Sequence, residues 1–195
     1  MSTNWFRKTL VLTASVAFVA GVGPVTVAAS EGRETAIDLK ACKVVKRHQD
    51  GNTWSCGGLP GYAVYYAEGD LRAFVSVGPN AGKRKAADQT LAPFNSIFPG
   101  KTQRATIEWR VTGEVGKPTP HATILRYYTR NDEGTGEVFV VMKVTAKETC
   151  QAAIIEAFND PKAIDFAREV ADGAAQSFDC KNDPVEHRRG GKSPF

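Results

Sequence analysis

The stretch RATIEWRV, residues 104–111, alternates apolar and polar side chains without a break. Ala105, Ile107, Trp109 and Val111 occupy one set of positions, and charged or hydroxyl-bearing side chains occupy the other. Because successive side chains of a β-strand point to opposite faces of its sheet, this period of two predicts a strand with one buried and one solvated face. Strands of this kind are typical of antiparallel sheets.

Further segments carry strand patterns rich in β-branched and aromatic residues: 62–67, 71–77, 121–129, 138–146 and 150–157. The strand at 138–146 is apolar on both faces, which predicts a central position in the sheet. Glu68-Gly69-Asp70 predicts a tight hairpin turn, after which Leu71 is expected on the same buried face as Val75. The glycine-rich stretch 57–61 is expected to be a loop.

A helical pattern is confined to the end of the domain. Asp160 is suited to cap a helix and Pro161 to occupy its first position. One apolar stripe at helical spacing follows, formed by Ile164, Ala167, Val170, Ala171, Ala174 and Phe178. A second, shorter helix is expected within 86–97, interrupted by Pro93. The predicted fold class is therefore α+β: a mainly antiparallel β-sheet with a C-terminal helix packed on it.

The first thirty residues have the pattern of an export signal. Arg7 and Lys8 precede an apolar run at 10–22, and small residues at 27–30 suit cleavage after Ala29. The run is too short and too polar for a stable membrane span, so none is expected in the mature chain. The predicted organisation is a signal peptide at 1–29, a single domain at 30–180 and a disordered tail at 181–195, in a periplasmic or secreted protein.

The four cysteines, Cys42, Cys56, Cys150 and Cys180, all follow the predicted signal. In an oxidising compartment they are expected to form two disulfides, for which three connectivities are possible. We predict Cys42–Cys56 and Cys150–Cys180, because each pair then joins neighbouring elements and leaves the middle of the chain free to form a sheet. Zinc is disfavoured, since no pair has C-x-x-C spacing and the three histidines are scattered. No metal or other cofactor is predicted.

A longer pattern surrounds these cysteines. Cys42 is followed by WSCGGLPGYAVYYAEGDLR at 54–72, by GPNA at 78–81 and by IEWR at 107–110. This pattern resembles a group of small exported bacterial proteins of unknown function, over nearly the whole mature chain. The resemblance implies a shared fold and a periplasmic address, and it implies no catalytic residue and no ligand.

Two apparent ligand motifs are incomplete. The stretch 78–84 is one residue too short for a nucleotide-binding loop, and it has Arg84 where a hydroxyl should meet magnesium. The stretch 131–136 lacks the alternating oxygen ligands of a calcium loop. The chain has a formal net charge of only +4, of which the predicted signal supplies two charges, so a nucleic-acid partner is not expected.

Catalytic residues are also hard to find in the sequence. Candidate nucleophiles and bases reduce to Ser55, Ser76 or Ser96 with His48 or His121, and none lies in a G-x-S-x-G elbow. A thiol mechanism is excluded if every cysteine forms a disulfide. The sequence therefore favours a binding module over an enzyme, and an envelope hydrolase with an unrecognised active site is the alternative.

Two groups of residues suggest binding. The first consists of five tyrosines, whose rings could give rigid contact area: Tyr62, Tyr65, Tyr66, Tyr127 and Tyr128. The second is basic: Lys83, Arg84 and Lys85, with Lys101 and Arg104 after the next turn. We expect these five cations to form one rim that contacts an anionic envelope component or a protein partner.

Overall fold

A computed structural model of the chain describes residues 30–113 and 117–188. The predicted signal peptide at 1–29 and residues 189–195 of the predicted tail lie outside the described residues. The strands, in chain order, are β1 (Glu31–Asp38), β2 (Lys43–His48), β3 (Gly51–Leu59), β4 (Tyr62–Gly69), β5 (Arg72–Gly78), β6 (Phe94–Ser96), β7 (Arg104–Thr112), β8 (Thr119–Asn131), β9 (Gly134–Val144), β10 (Thr149–Glu156) and β11 (Glu186–Arg188). The helices are α1 (Ala163–Asp172) and α2 (Ala174–Ser177), and short 3₁₀ turns span Ala81–Lys83 and Lys85–Asp88.

The strands form two sheets. The large sheet has the order β1-β7-β8-β9-β10-β11, with β6 paired to β8, and the small sheet has the order β2-β3-β4-β5. All pairings are antiparallel except that of β10 with β11. The predicted fold class is confirmed: α+β, mainly antiparallel, with a C-terminal helix.

Three layers result from the way these elements bury their apolar faces. The main core lies between the two sheets and includes Tyr66 and Val75 from the small sheet and Trp109 and Leu125 from the large one. The opposite face of the large sheet packs against α1, whose alanines contact β8, β9 and β10 in a second core. The large sheet is therefore covered on both faces along β9, as the sequence predicts.

The prediction that one face of β7 is solvated is wrong in part. Glu108 and Arg110 are only 7% and 9% exposed, because α1 approaches this face of the sheet. The expectation that Leu71 belongs to a buried strand face is also wrong, since Leu71 lies in the turn between β4 and β5 and is exposed. The glycine stretch expected as a loop contributes Gly57 and Gly58 to β3, where the pairing with β4 is irregular.

The helical predictions also need correction. The C-terminal helix begins at Ala163, after an Asp160 side chain that accepts from the amide of Lys162 at 2.9 Å, and it is interrupted at Gly173. Within 86–97 the chain forms only the end of a 3₁₀ turn and then β6. The predicted disordered tail is wrong for 186–188, which form β11 beside β10.

Both predicted disulfides are confirmed, as Cys42–Cys56 and Cys150–Cys180. The first joins the turn before β2 to β3, and the second joins β10 to the segment after α2. No cysteine in the described ranges is free. In the same ranges, no helix has the length and apolar character needed to cross a bilayer.

Candidate binding surfaces

Two of the predicted basic residues, Arg84 and Lys85, are engaged with the protein's own backbone. Arg84 donates to the carbonyl of Ala146 at 2.8 Å, and Lys85 donates to the carbonyl of Cys180. Both side chains thereby fasten their loop to distant parts of the chain. Lys83 is exposed and has no ion pair among the described residues.

The other two predicted residues lie elsewhere. Arg104 begins β7 and pairs with Asp38 at 3.3 Å, and Lys101 lies in the turn before it. Arg84 contacts the turn after β9, which the strand register places at the opposite end of the large sheet from Arg104. The five cations therefore do not form one continuous rim. A binding role for either group stays a prediction.

A different basic surface lies on the small sheet. In the strand register, Lys43 is opposite Ser55 and Lys46 is opposite Thr53, while Ser55 is opposite Tyr65 on the next strand. Paired residues share a face, and Trp54, between Thr53 and Ser55, points into the core. Both lysines therefore lie on the outer face, where a β-bulge between Val44 and Lys46 keeps them on the same side.

Lys83 comes to the same face through a close backbone contact. A Cβ atom added at Gly82 would lie 2.9 Å from Cδ2 of Tyr65, so the turn at 81–83 rests directly on this ring. Because β4 lies two strands from β2, the tyrosine and β2 are about 10 Å apart. We call Lys43, Lys46, Lys83, Ser55 and Tyr65 the basic face.

Charge is concentrated around this surface. Residues 40–51 contain four basic residues and one acidic residue, a formal charge of +3, in a chain whose total is +4. Lys43, Lys46 and Arg47 are exposed and have no ion pair among the described residues. In the sequence this charge is present as KVVKRH at 43–48, a segment that the prediction based on the run at 83–85 does not include.

A groove of about 470 Å³ lies on the other side of the molecule, between α1 and the uncovered part of the large sheet. Its walls include Arg104, Arg126 and Arg168, and each of these guanidinium groups is paired with a carboxylate. Arg126 also lies 4.5 Å above the ring of Phe139. The cations of the groove are therefore already neutralised within the protein, unlike those of the basic face.

An ion-pair network closes one end of the groove and fastens α1 to β7. Glu108 accepts from Nε of Arg168 at 2.9 Å and from Nη1 of Arg110 at 3.1 Å. Arg110 also donates from Nη2 to Asp172 at 2.6 Å, and His121 Nε2 lies 3.1 Å from the same carboxylate. Each buried charge has an opposite charge beside it, which is the condition for burying charge at a tolerable cost.

The charge states of the network follow from these contacts. Burial would raise the pKa of Asp172, but hydrogen bonds from Arg110 and His121 outweigh it and hold the pKa below its ordinary value. The pKa of Arg110 is raised, chiefly by its hydrogen bond to Asp172, and that of Arg168 is raised, chiefly by its hydrogen bond to Glu108. Asp172, Arg110 and Arg168 are therefore ionised across the physiological range.

The groove contains one pair of carboxylates of the kind that a carboxylate-dependent hydrolase uses. Glu34 and Glu108 are directly opposite each other on β1 and β7 and both line the groove. A glycosidase of this type needs one carboxyl group that can donate a proton. Both carboxylate oxygens of Glu108 accept from guanidinium groups, of Arg110 and Arg168, so Glu108 is poorly placed to donate a proton.

The serine and histidine candidates are not brought together. His48 bonds to Thr53 and His121 to Asp172, while the Ser76 side chain is buried without a hydrogen-bond partner. Within the described ranges no serine hydroxyl bonds to a histidine, and no group of three potential ligands is gathered for a metal. His121 is instead a hydrogen-bonded residue of the ion-pair network.

The five tyrosines do not share one exposed face. Tyr66 and Tyr127 are buried in the main core, while Tyr62 and Tyr65 on β4 and Tyr128 on β8 are half-buried. Burial raises the pKa of Tyr66, whose hydroxyl donates to Glu68 at 2.5 Å, and burial also raises the pKa of Tyr127. Of the five, only Tyr65 belongs to the basic face.

Comparison of the chain with protein-family models, with curated proteins and with solved structures found no match.

Proposed function

We propose that the protein is an exported, disulfide-bonded binding module that holds an anionic polysaccharide of the envelope on its basic face. One observation carries the proposal: Lys43 and Lys46 lie on the outer face of the small sheet, the turn that carries Lys83 rests on Tyr65 of the same face, and none of the three lysines has a carboxylate partner among the described residues. An unpaired cation keeps its full attraction for an external anion, whereas the paired arginines of the groove do not.

The geometry of the basic face suits an extended polymer. β2 is an edge strand of six residues, so it extends over about 20 Å and presents its lysines along one line. Tyr65 and Ser55 between the lysines supply a ring and a hydroxyl for contact with a sugar. Screening at physiological salt acts over about 8 Å, so each lysine acts mainly on the anionic group nearest to it, and binding should weaken as salt rises.

The proposed location rests on the predicted export signal, and the two disulfides support it. Disulfides persist in oxidising compartments and are rare in the cytosol of most cells. Both disulfides lie close to segments of the basic face. Cys42–Cys56 anchors the start of β2, and Cys180 provides the carbonyl that holds Lys85 beside Lys83.

The proposal is tested by retention on immobilised heparin, used as an anionic polysaccharide probe. The variant Lys43→Gln/Lys46→Gln/Lys83→Gln should elute at a clearly lower salt concentration than the wild-type protein. Its melting temperature should stay within about two degrees, because exposed substitutions change stability little.

A matched control removes the same number of charges elsewhere. Lys101→Gln/Arg104→Gln/Lys162→Gln, at three exposed positions off the basic face, should elute close to the wild-type protein. Equal shifts for the two triple variants would mean that only net charge matters. A larger shift for the control would place the binding surface around Lys101, Arg104 and Lys162.

A further inference from the structure

A second cavity, of about 560 Å³, lies where three hairpins end beside β6. Asp50 from the β2–β3 turn, Leu71 from the β4–β5 turn and Arg130 near the β8–β9 turn all line it. Its size is typical of small-ligand sites, which span about 300–1,000 Å³. We call it the tip cavity. No part of the basic face contributes to its lining.

Leu71 is the first sign that the tip cavity has a role beyond folding. Its backbone has a φ of +57° and follows Asp70 at +50°, a left-handed conformation that suits glycine or asparagine and is unfavourable for leucine. Its side chain is 66% exposed. Folding therefore gains nothing from leucine here, and a strained, exposed apolar residue points to an external contact.

Phe94 gives the lining of the cavity a second apolar side chain besides Leu71. Phe94 is 38% exposed, with the Arg72 guanidinium 5.4 Å above its ring. Arg72 also donates to the carbonyl of Ala92 at 2.9 Å, and the amide of Asn95 donates to the carbonyl of Leu71 at 3.0 Å. Hydrogen bonds therefore hold the backbone segments that carry both apolar residues.

The rest of the lining is polar and mixed in sign. Glu68 accepts from the Tyr66 hydroxyl and has no ion pair among the described residues. The lining contains two carboxylates and two guanidinium groups, so it has no net formal charge, together with serine and threonine hydroxyls. The lining thus combines donors and acceptors with two apolar side chains, which is unlike the lining of a lipid pocket or of a site for a simple ion.

We propose that the tip cavity binds one or two residues of a neutral saccharide. A sugar ring has an apolar C–H face that can lie against Leu71 and Phe94, and hydroxyls that both donate and accept. Glu68 and Arg130 supply the complementary acceptor and donor. This site is independent of the basic face, and it requires no anionic group on the ligand.

The test uses isothermal titration of the full exported protein with chitohexaose and cellohexaose. Leu71→Gly removes both the apolar contact and the backbone strain, whereas Leu71→Ala removes the contact and keeps the strain. Both variants should bind the better oligosaccharide about tenfold more weakly than the wild-type protein. Only Leu71→Gly should melt higher, by about 2–5 °C.

Val45→Ala is the matched control, because Val45 is 59% exposed and does not line the cavity. It should bind the oligosaccharide as the wild-type protein does. The heparin retention of the Leu71 variants should also be unchanged, which separates this proposal from that of the basic face. Absence of binding to both oligosaccharides by the wild-type protein, or full binding by folded Leu71→Gly, would overturn the proposal.

Discussion

Glu108 joins β7 to α1 through its ion pair with Arg168. Replacing it by alanine leaves the largely buried Arg110 with only Asp172 and removes the carboxylate that holds Arg168. We predict that Glu108→Ala lowers the free energy of unfolding by about 1–3 kcal/mol, measured by urea denaturation, because hydrogen bonds to a buried carboxylate are lost while Arg110 keeps Asp172.

Glu34→Ala is the control for this prediction. Glu34 lies opposite Glu108 on β1, is exposed and has no ion pair among the described residues. It should change the free energy of unfolding by no more than about 0.5 kcal/mol. Equally small effects at the two positions would show that the network contributes little to stability.

Trp109 tests the core between the sheets. It is fully buried, its indole nitrogen donates to the Thr35 hydroxyl at 2.8 Å, and its ring meets that of Tyr62 edge-on at 6.4 Å. Trp109→Ala should cost about 3–5 kcal/mol by urea denaturation, or prevent accumulation of the protein altogether. A cost below 1 kcal/mol would be inconsistent with the described packing.

The lowered pKa of Asp172 should make the stability of the fold depend on pH. Its pKa is lower in the folded protein than in the unfolded chain, so its ion pairs stabilise the fold above about pH 4 and are lost as pH falls through the folded value. Asp172→Asn should therefore melt below the wild-type protein at pH 7, and the gap should narrow below pH 4. A gap that is constant from pH 7 to pH 3 would contradict this assignment.

At the scale of the elements, each disulfide should stabilise a different part of the fold. Cys42→Ala/Cys56→Ala should speed amide exchange mainly in β2, and Cys150→Ala/Cys180→Ala mainly in α2 and the segment after it. The chain-entropy argument gives about 3 kcal/mol for the first bond and about 4 kcal/mol for the second, whose loop is longer. Identical exchange patterns for the two variants would show that the effects are global.

The strands that the sequence predicts are those whose apolar residues recur with a period of two. β7 and β9 belong to this group, and Trp109 and Val140 are core residues as expected. β1 and β2 were missed because they are edge strands with charged residues along them, and such strands carry little apolar pattern. The burial of Glu108 could not be foreseen either, since it depends on where α1 docks.

The candidate surfaces were less predictable than the fold. The run at 83–85 identified Lys83 correctly as an exposed cation, but its neighbours on the basic face come from β2, about forty residues earlier in the chain. Only the strand register and the contact of Gly82 with Tyr65 bring them together. Leu71 could not be selected from sequence, because its significance lies in its backbone conformation.

At the scale of the whole molecule, export and oxidation can be checked together by intact mass. We predict that the protein secreted from an exporting cell begins at Ser30 and gains no mass from a thiol-alkylating reagent before reduction. After reduction and unfolding it should gain four alkyl groups, one for each cysteine. Alkylation of the unreduced protein would contradict the two disulfides.

Amide NMR with a size-defined heparin fragment at low salt shows which residues of the protein contact an anionic polysaccharide. If the basic face is the binding surface, the largest shift changes are expected in β2, at Ser55 and Tyr65, and at Gly82 and Lys83, and they should diminish steeply as salt approaches the physiological range. The proposal would be wrong if the largest changes fell on Arg126 and Arg168 in the groove, or on residues 101–104, with the basic face unaffected.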